Sequence, residues 1–384
     1  MRSAWALDPR VTYLNHGTVG APPRVVLARQ QALRDEIERQ PASYLLRTLV
    51  NWVGAPDPEP SRIRVAAGAI AAFLHVSADD LVFTDNATAG VNAVLRSFPF
   101  APGDEIVTLD LAYGAIRNVA AFAARERGAI VRVVTVPYPR FDPAAFVEAF
   151  DEALSSRTRV AVVDHVTAES ALILPVAALA ERCRRKNVAI LVDGAHAPGA
   201  IPLDVAALGV DWYTANLHKW AFAPRSCGVL WAAKSRQPGL HPPVISWGLD
   251  QGFTAEFDWM GTRDPTPWLA APVGIEFLEG LGLAAVQRWN HELAWEAGRL
   301  LTSRWGTALT SSEASVGTMV SVPVPARFGT LPADAQRLRD ALLFRHGIEV
   351  QVHAMHGQVW VRVSAQVYNE ISDVERLAAA VSGL

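Results

Sequence analysis

The sequence predicts an α/β protein: a large unit built on a mostly parallel, doubly wound sheet, joined to a smaller α+β unit. Three observations carry this expectation. Between about residues 60 and 232, Ala-rich helical stretches alternate with short β-branched runs bounded by turn residues, the pattern of repeated βα units. The β-branched runs are apolar throughout instead of alternating, as strands are when helices cover both faces of a sheet. The chain has 384 residues, 51% of them hydrophobic and 19% charged, enough for more than one packed core.

Taken in order, the strands are expected at Leu81–Thr84, Ile106–Leu109, Val131–Val136, Val160–Asp164, Val188–Asp193 and Gly228–Trp231. Helices are expected at Arg62–His75, Thr88–Ser97, Ile116–Arg127, Pro143–Leu154 and Val176–Lys186. In such a sheet, functional residues collect beyond the carboxyl ends of the strands. Residues 237–268 carry Pro238, Pro242, Pro243, Pro265 and Pro267 together with Trp247, Trp259 and Trp268, and read as an ordered loop leading to a new unit. A helical stretch from about 270 through Trp305 follows. Strands near Thr318–Val324 and Val359–Val363 and a last helix near Ile371–Val381 complete the smaller unit. The expected division is 15–260 for the large unit, with 1–14 and 261–384 for the small one.

A net charge of −3 offers no bulk attraction for nucleic acid, and no partner of that kind is expected. The first ten residues are interrupted by Asp8, Pro9 and Arg10 and lack the apolar core of an export signal. Apolar stretches elsewhere break well short of a membrane span, so no membrane association and a cytoplasmic location are expected. Cys183 and Cys227 stand apart from any other ligand and read as two buried thiols. The ten His residues show no metal spacing, and no metal is expected. Gly280-Leu281-Gly282-Leu283-Ala284-Ala285 follows a helical run instead of a strand and reads as a turn between helices, not a dinucleotide loop.

Four features fall at the ends of consecutive βα units. Val188–Asp193 is an apolar strand ending in a carboxylate, with His196 three residues on; alone, this could be a cap or loop contact. Lys219 lies between His218 and Trp220 in a segment poor in charge, where desolvation lowers an amine toward its nucleophilic form. Phe83 to Asn92 turns a strand into a helix through small and hydroxylic residues. The free N–H groups and Thr88 there suit a phosphate monoester, although a plain Asn/Thr cap has the same appearance. Tyr113 follows the Ile106–Asp110 strand and could stack on a planar heteroaromatic ring. A phosphate cradle, a nucleophilic lysine, a carboxylate and a stacking ring together meet the requirements of pyridoxal 5′-phosphate.

The chain resembles the fold-type I, class V aminotransferase-like enzymes, and within them the isopenicillin N epimerase branch. The resemblance rests on five segments in order: Tyr13–Pro23, Asp193-Gly-Ala-His196, Asn216-Leu-His-Lys-Trp220, Gly261-Thr-Arg-Asp264 and Arg362–Asn369. It implies that Lys219 is the Schiff-base lysine, that Asp193 partners the pyridine nitrogen, and that His196 neighbours the ring oxygen or the substrate. It implies further that Ala87, Thr88, Asn216 and His218 hold the phosphate. Thr262 would reach the phosphate of a partner subunit's cofactor, giving a homodimer with shared active sites. Arg362 would take the substrate α-carboxylate as a bidentate pair. Asn15 and His16 resemble the family's N-terminal segment that closes over the substrate; a turn contact before Gly17 is the equal alternative. In one place the chain departs from the family pattern: Ala168 stands where a polar side chain usually meets the ring hydroxyl, with Thr167 or Ser170 as substitutes.

The resemblance implies an amino-acid substrate activated at its α-carbon, with Lys219 as the base. Returning the proton to the opposite face gives epimerisation, the favoured outcome. Expelling a β-substituent gives a C–S lyase or cysteine desulfurase-like reaction, and reprotonation on the cofactor gives an aminotransferase. A catalytically inactive binding protein of the same fold is the reading from a different class.

Overall fold

The computed structural model describes residues 1–54, 59–309 and 311–384. The large sheet has seven strands: β2 (Leu81–Thr84), β3 (Glu105–Leu109), β4 (Ile130–Val134), β5 (Thr158–Asp164), β6 (Ala189–Asp193), β7 (Trp212–Asn216) and β8 (Gly228–Ala232). Their spatial order is β2-β8-β7-β6-β5-β3-β4. All pairings are parallel except those of β8, which runs antiparallel to both β2 and β7. Two antiparallel steps bring β2 back into the direction of β7, so the carboxyl ends of β2, β7, β6, β5 and β3 share one edge. β7 was missing from the expected strands, although Trp212, Tyr213 and Thr214 are good strand formers and all its residues are buried.

The sheet is covered on both faces, as its continuous apolar strands require. One core joins it to α2 (Arg24–Arg39), α4 (Arg62–Phe73), α7 (Pro143–Ala153), α8 (Val176–Arg185) and α10 (Thr266–Gly280). The opposite core is formed with α5 (Ala87–Ser97), α6 (Gly114–Arg127) and α9 (Phe253–Asp258). The short α1 (His16–Val19) precedes α2, and the single turn α3 (Pro41–Ser43) follows it. Asp142 caps α7 through the N–H groups of Ala144 and Ala145, with Pro143 at the first helical position, which explains the sharp start there.

The smaller unit carries a three-stranded antiparallel sheet in the order β11 (Gln351–Met355), β12 (Gln358–Ser364), β9 (Met319–Pro323). Its apolar face packs with α11 (Leu283–Trp305), α12 (Pro332–His346) and α13 (Ile371–Gly383) in a separate core. β1 (Thr12–Tyr13) pairs in parallel with β10 (Ile348–Glu349) and ties the N-terminus to this unit. β11 and α12 were not among the expected elements.

The helical stretch after 270 is two helices, α10 and α11, bent by 76° at the Gly280–Gly282 turn, where the sequence reads as a turn between helices. The division at residue 261 needs correction: α10 packs on α2 and α4, and Trp268 stacks on Phe83 of β2 with ring centroids 5.6 Å apart. The large unit therefore runs on through α10. No single helix among the described residues is long and apolar enough to cross a membrane. Cys183 and Cys227 are both buried free thiols; burial pushes Cys183 up to about 12 and Cys227 upward as well.

Candidate active site

The shared strand edge frames a cavity of about 360 Å³. Each wall comes from the residues just beyond a strand. β7 ends at Asn216, and His218 and Lys219 follow it; β6 ends at Asp193, with His196 beyond; β5 ends at Asp164; β3 leads to Tyr113; β2 leads to Asn86, Ala87 and Thr88. From the smaller unit, β12 contributes Arg362 and β11 contributes Gln351, while Gly17 and Thr18 of α1 close one side. Lys219, Asp193, His196 and Arg362 are all buried.

Lys219 Nζ lies 3.0 Å from Nε2 of His196. Burial pushes the amine down to about 7, the charge of Arg362 adds to this, and Asp193 opposes it. The indole N–H of Trp220 donates to Nδ1 of His196 at 3.4 Å. That bond leaves the imidazole proton on Nε2, facing the neutral amine, and burial keeps His196 uncharged. Asp193 accepts the Ala195 N–H through Oδ1 at 2.9 Å, and burial raises its carboxyl group. Asp164 is the register neighbour of Asp193 on β5, and burial followed by the charge of Asp193 raises it well above the usual range.

Asn86 caps α5 through the Ala89 N–H at 2.9 Å, while Asn216 accepts the Ala87 N–H at 2.8 Å. The Thr88 N–H and hydroxyl donate to no other group among the described residues, which leaves donors at a helix N-terminus for an anion. Gly90, in the next turn of α5, sits so close to β7 that an added Cβ would fall 2.1 Å from Thr214 Oγ1. Nδ1 of His218 donates to the Cys227 carbonyl at 2.9 Å, so its Nε2 can donate to a phosphate only as imidazolium; burial holds the free ring near 4.

Arg362 donates to the Ala168 carbonyl and to Thr18 Oγ1 at 3.0 Å, with Asn15 Oδ1 at 3.5 Å. No carboxylate among the described residues pairs with it, Nε has no partner, and burial pushes it down to about 10. A buried guanidinium left in this state is a receptor for a carboxylate. A buried carboxylate, a lysine pushed down to about 7, an anion cradle and a ring at Tyr113 within one cavity also fit pyridoxal 5′-phosphate.

Four expected site residues lie elsewhere. His16 is fully buried off the cavity, bonded to Tyr368 Oη at 2.8 Å and to the Lys219 carbonyl at 3.0 Å, so it fastens α1 to the lysine loop. Asn15 is spent on Glu349 at 2.9 Å and on Arg362, and positions the arginine from behind. Thr167 closes its own turn through Ser170 at 2.6 Å and the Leu172 N–H at 2.8 Å, so neither hydroxyl replaces the side chain missing at Ala168. Thr262 is exposed and outside this chain's cavity, although its neighbour Arg263 pairs with Asp85 beside the cradle. The sequence reading missed Thr18, Asp164, Glu169 and Gln351 as wall residues. Asp164 ends an apolar strand just as Asp193 does, which was a usable signal; Gln351 had none, because β11 was not recognised.

Comparison with known proteins gives concordant findings. The family model described as Aminotransferase class-V matches residues 61–377. The isopenicillin N epimerase of Amycolatopsis lactamdurans is 35% identical over 409 residues, covering 100% of this chain and 99% of that protein. A probable chloroplastic L-cysteine desulfhydrase of Arabidopsis thaliana is 32% identical, covering 98% of this chain and 83% of its own. Among solved structures, a complex of the cystine C-S lyase C-DES with its reaction product superposes with a TM-score of 0.81 at 21% identity, covering 97% of this chain and 98% of that one.

Proposed function

The chain belongs to the class V aminotransferase family, whose enzymes depend on pyridoxal 5′-phosphate, and on that premise we propose that it acts at the α-carbon of an amino acid through Lys219. The observation that carries this is the Lys219 amine, buried 3.0 Å from His196 and pushed down to about 7, sharing one cavity with Asp193 and with Arg362, which pairs with no carboxylate among the described residues. The α5 start and His218 would hold the phosphate, Asp193 the ring nitrogen, Tyr113 the ring face, and Lys219 the aldehyde carbon. Bound there, the cofactor supplies an electron sink for a bond broken at the α-carbon.

The rest is the work of this chain's own groups. Arg362 binds the substrate carboxylate in place of its bonds to Thr18 and Ala168 and so fixes the α-carbon near Lys219. The neutral Lys219 amine takes the α-proton, and His196, with its tautomer set by Trp220, holds that amine in position. Epimerisation, the reading supported by the isopenicillin N epimerase at 35% identity, returns a proton to the other face. Elimination of a sulfur substituent is the second reading, supported by cysteine desulfhydrases at 32% identity. A homodimer in which Thr262 serves the partner's cofactor completes the proposal.

Borohydride reduction of the holoenzyme followed by peptide mapping should place the pyridoxyl group on Lys219; an adduct elsewhere would refute the reading. Incubation of amino acids in deuterated water then separates the reactions. Label at the α-carbon with inversion supports epimerisation, whereas pyruvate and released sulfide establish elimination.

A further inference from the structure

The three-stranded sheet of the smaller unit turns one face to its own core, where Val320, Val322, Val352, Val361 and Val363 pack. The alternate residues share the other face: Gln351 and His353 on β11, Trp360, Arg362 and Ser364 on β12, and Ser321 on β9. Gln351 and Arg362 bring this face to the Lys219 cavity. It is buried and short of partners. Both ring nitrogens of His353, Nε of Arg362 and the hydroxyls of Ser321 and Ser364 find no hydrogen bond among the described residues. His353 is 7% exposed and Arg362 4%. Native folds leave few buried polar atoms in that state, so a group of them on one face calls for a reason.

Sheet register decides which of these groups can meet. Arg362 lies opposite Gln351 on one side and Ser321 on the other. His353, two residues on from Gln351, is its diagonal neighbour, within reach of a long side chain. Trp360, directly opposite His353, is already spent, because its indole N–H donates to the Met355 carbonyl at 3.0 Å. Ser321 stands on the far strand, and Ser364 lies four residues along β12 from the position opposite His353. Burial, with the charge of Arg362 added, pushes His353 down to about 3, so the ring is neutral and one nitrogen carries a free lone pair. A guanidinium can only donate, and its Nε–H is the nearby donor with no other use.

α1 bounds the guanidinium on a further side: an added Cβ at Gly17 would fall 3.4 Å from Arg362 Nη2. In the free site the terminal nitrogens hold the Ala168 carbonyl and Thr18 Oγ1. A carboxylate that draws both nitrogens off these partners turns the guanidinium, and Nε with it. We propose that His353 is a positioning residue for Arg362: with the substrate carboxylate bound, its imidazole accepts the Nε–H and holds the guanidinium plane so that both terminal nitrogens face the carboxylate. The inference rests on the Lys219 reading and adds to it a residue that acts from behind the arginine.

The test is spectrophotometric titration of the holoenzyme with L-alanine and with ethylamine, its analogue without the carboxylate, reading dissociation constants from the shift of the cofactor band. His353→Phe should weaken L-alanine about 10-fold, the scale of one hydrogen bond to a charged group, and leave ethylamine unchanged. His353→Gln, which restores an acceptor, should recover most of the loss, and Ser321→Ala should cause none. In an Arg362→Met background His353→Phe should weaken L-alanine no further. If His353→Phe fails to fold, His353→Met carries the same comparison. An unchanged L-alanine constant, an equal loss for both ligands, no recovery with Gln, a loss in Ser321→Ala as large as in His353→Phe, or a loss that persists without Arg362 would each overturn the inference and leave the Lys219 reading intact. Absence of a shift with any amino acid in the native protein would overturn both.

Discussion

The chemistry of the site turns on the charge state of one amine. With Lys219 held near 7, the apoprotein's reactivity toward an aldehyde should rise as pH passes through that value and then level off. Arg362→Met removes a neighbouring positive charge, so the inflection should move upward; a titration of aldehyde capture against pH checks both. An unfolded lysine keeps its proton to its ordinary value of 10.5. Between about 7 and that value the unfolded chain binds the extra proton, so this group makes stability rise with pH. Melting temperatures of the apoprotein across this window should show a shallower slope in Lys219→Met. Arg362→Met should also weaken substrate binding by about 2 kcal/mol, roughly 30-fold, measured as KM. Lys219, Asp193, His196 and Arg362 were legible because their neighbours in sequence carry the signal. The directions of His16, Asn15 and Thr167 were not, because partners hundreds of residues away, or a closed local turn, decide them.

At the scale of elements, the large sheet was readable because strands buried on both faces are unbroken apolar runs. The end of the large unit was not. The Pro-rich stretch before α10 has the composition of a linker, yet Trp268 and its neighbours find their core on Phe83, α2 and α4, and no local pattern reports that pairing. The turn after α1 shows how tightly elements meet at the site. Gly20 has φ +69°, and an added Cβ would fall 1.9 Å from the His218 carbonyl, next to Lys219. Gly20→Ala combines a left-handed backbone with a backbone clash and should destabilise the fold by about 1–3 kcal/mol or more. Chemical denaturation would measure this, and cofactor retention through gel filtration should fall in parallel, since α1 is bonded through His16 to the lysine loop.

For the whole molecule, an apolar patch gathers outside the Lys219 cavity. Trp247 is 78% exposed, with Val244, Ile245 and Leu249 beside it, and its ring meets Trp52 at 6.2 Å. A patch of this kind suits burial by a second copy of the chain. Sedimentation should report a dimer that Trp247→Ser weakens. If Thr262 serves the partner's cofactor, mixing Lys219→Ala protomers with Thr262→Glu protomers should restore activity, because one site in each mixed dimer then carries neither change. Failure to complement after verified subunit exchange would confine each site to one chain.

The two cysteines carry a consequence for the sulfur chemistry of several relatives. Both thiols are sealed inside the fold and resist ionisation at neutral pH. Sulfur cleaved from a substrate would therefore find no thiolate on this chain to carry it as an enzyme-bound persulfide, and would leave with whatever group it was attached to, as hydrogen sulfide where the substrate is cysteine. Iodoacetamide should accordingly spare the native enzyme, and no relay through a persulfide on this chain could begin from it.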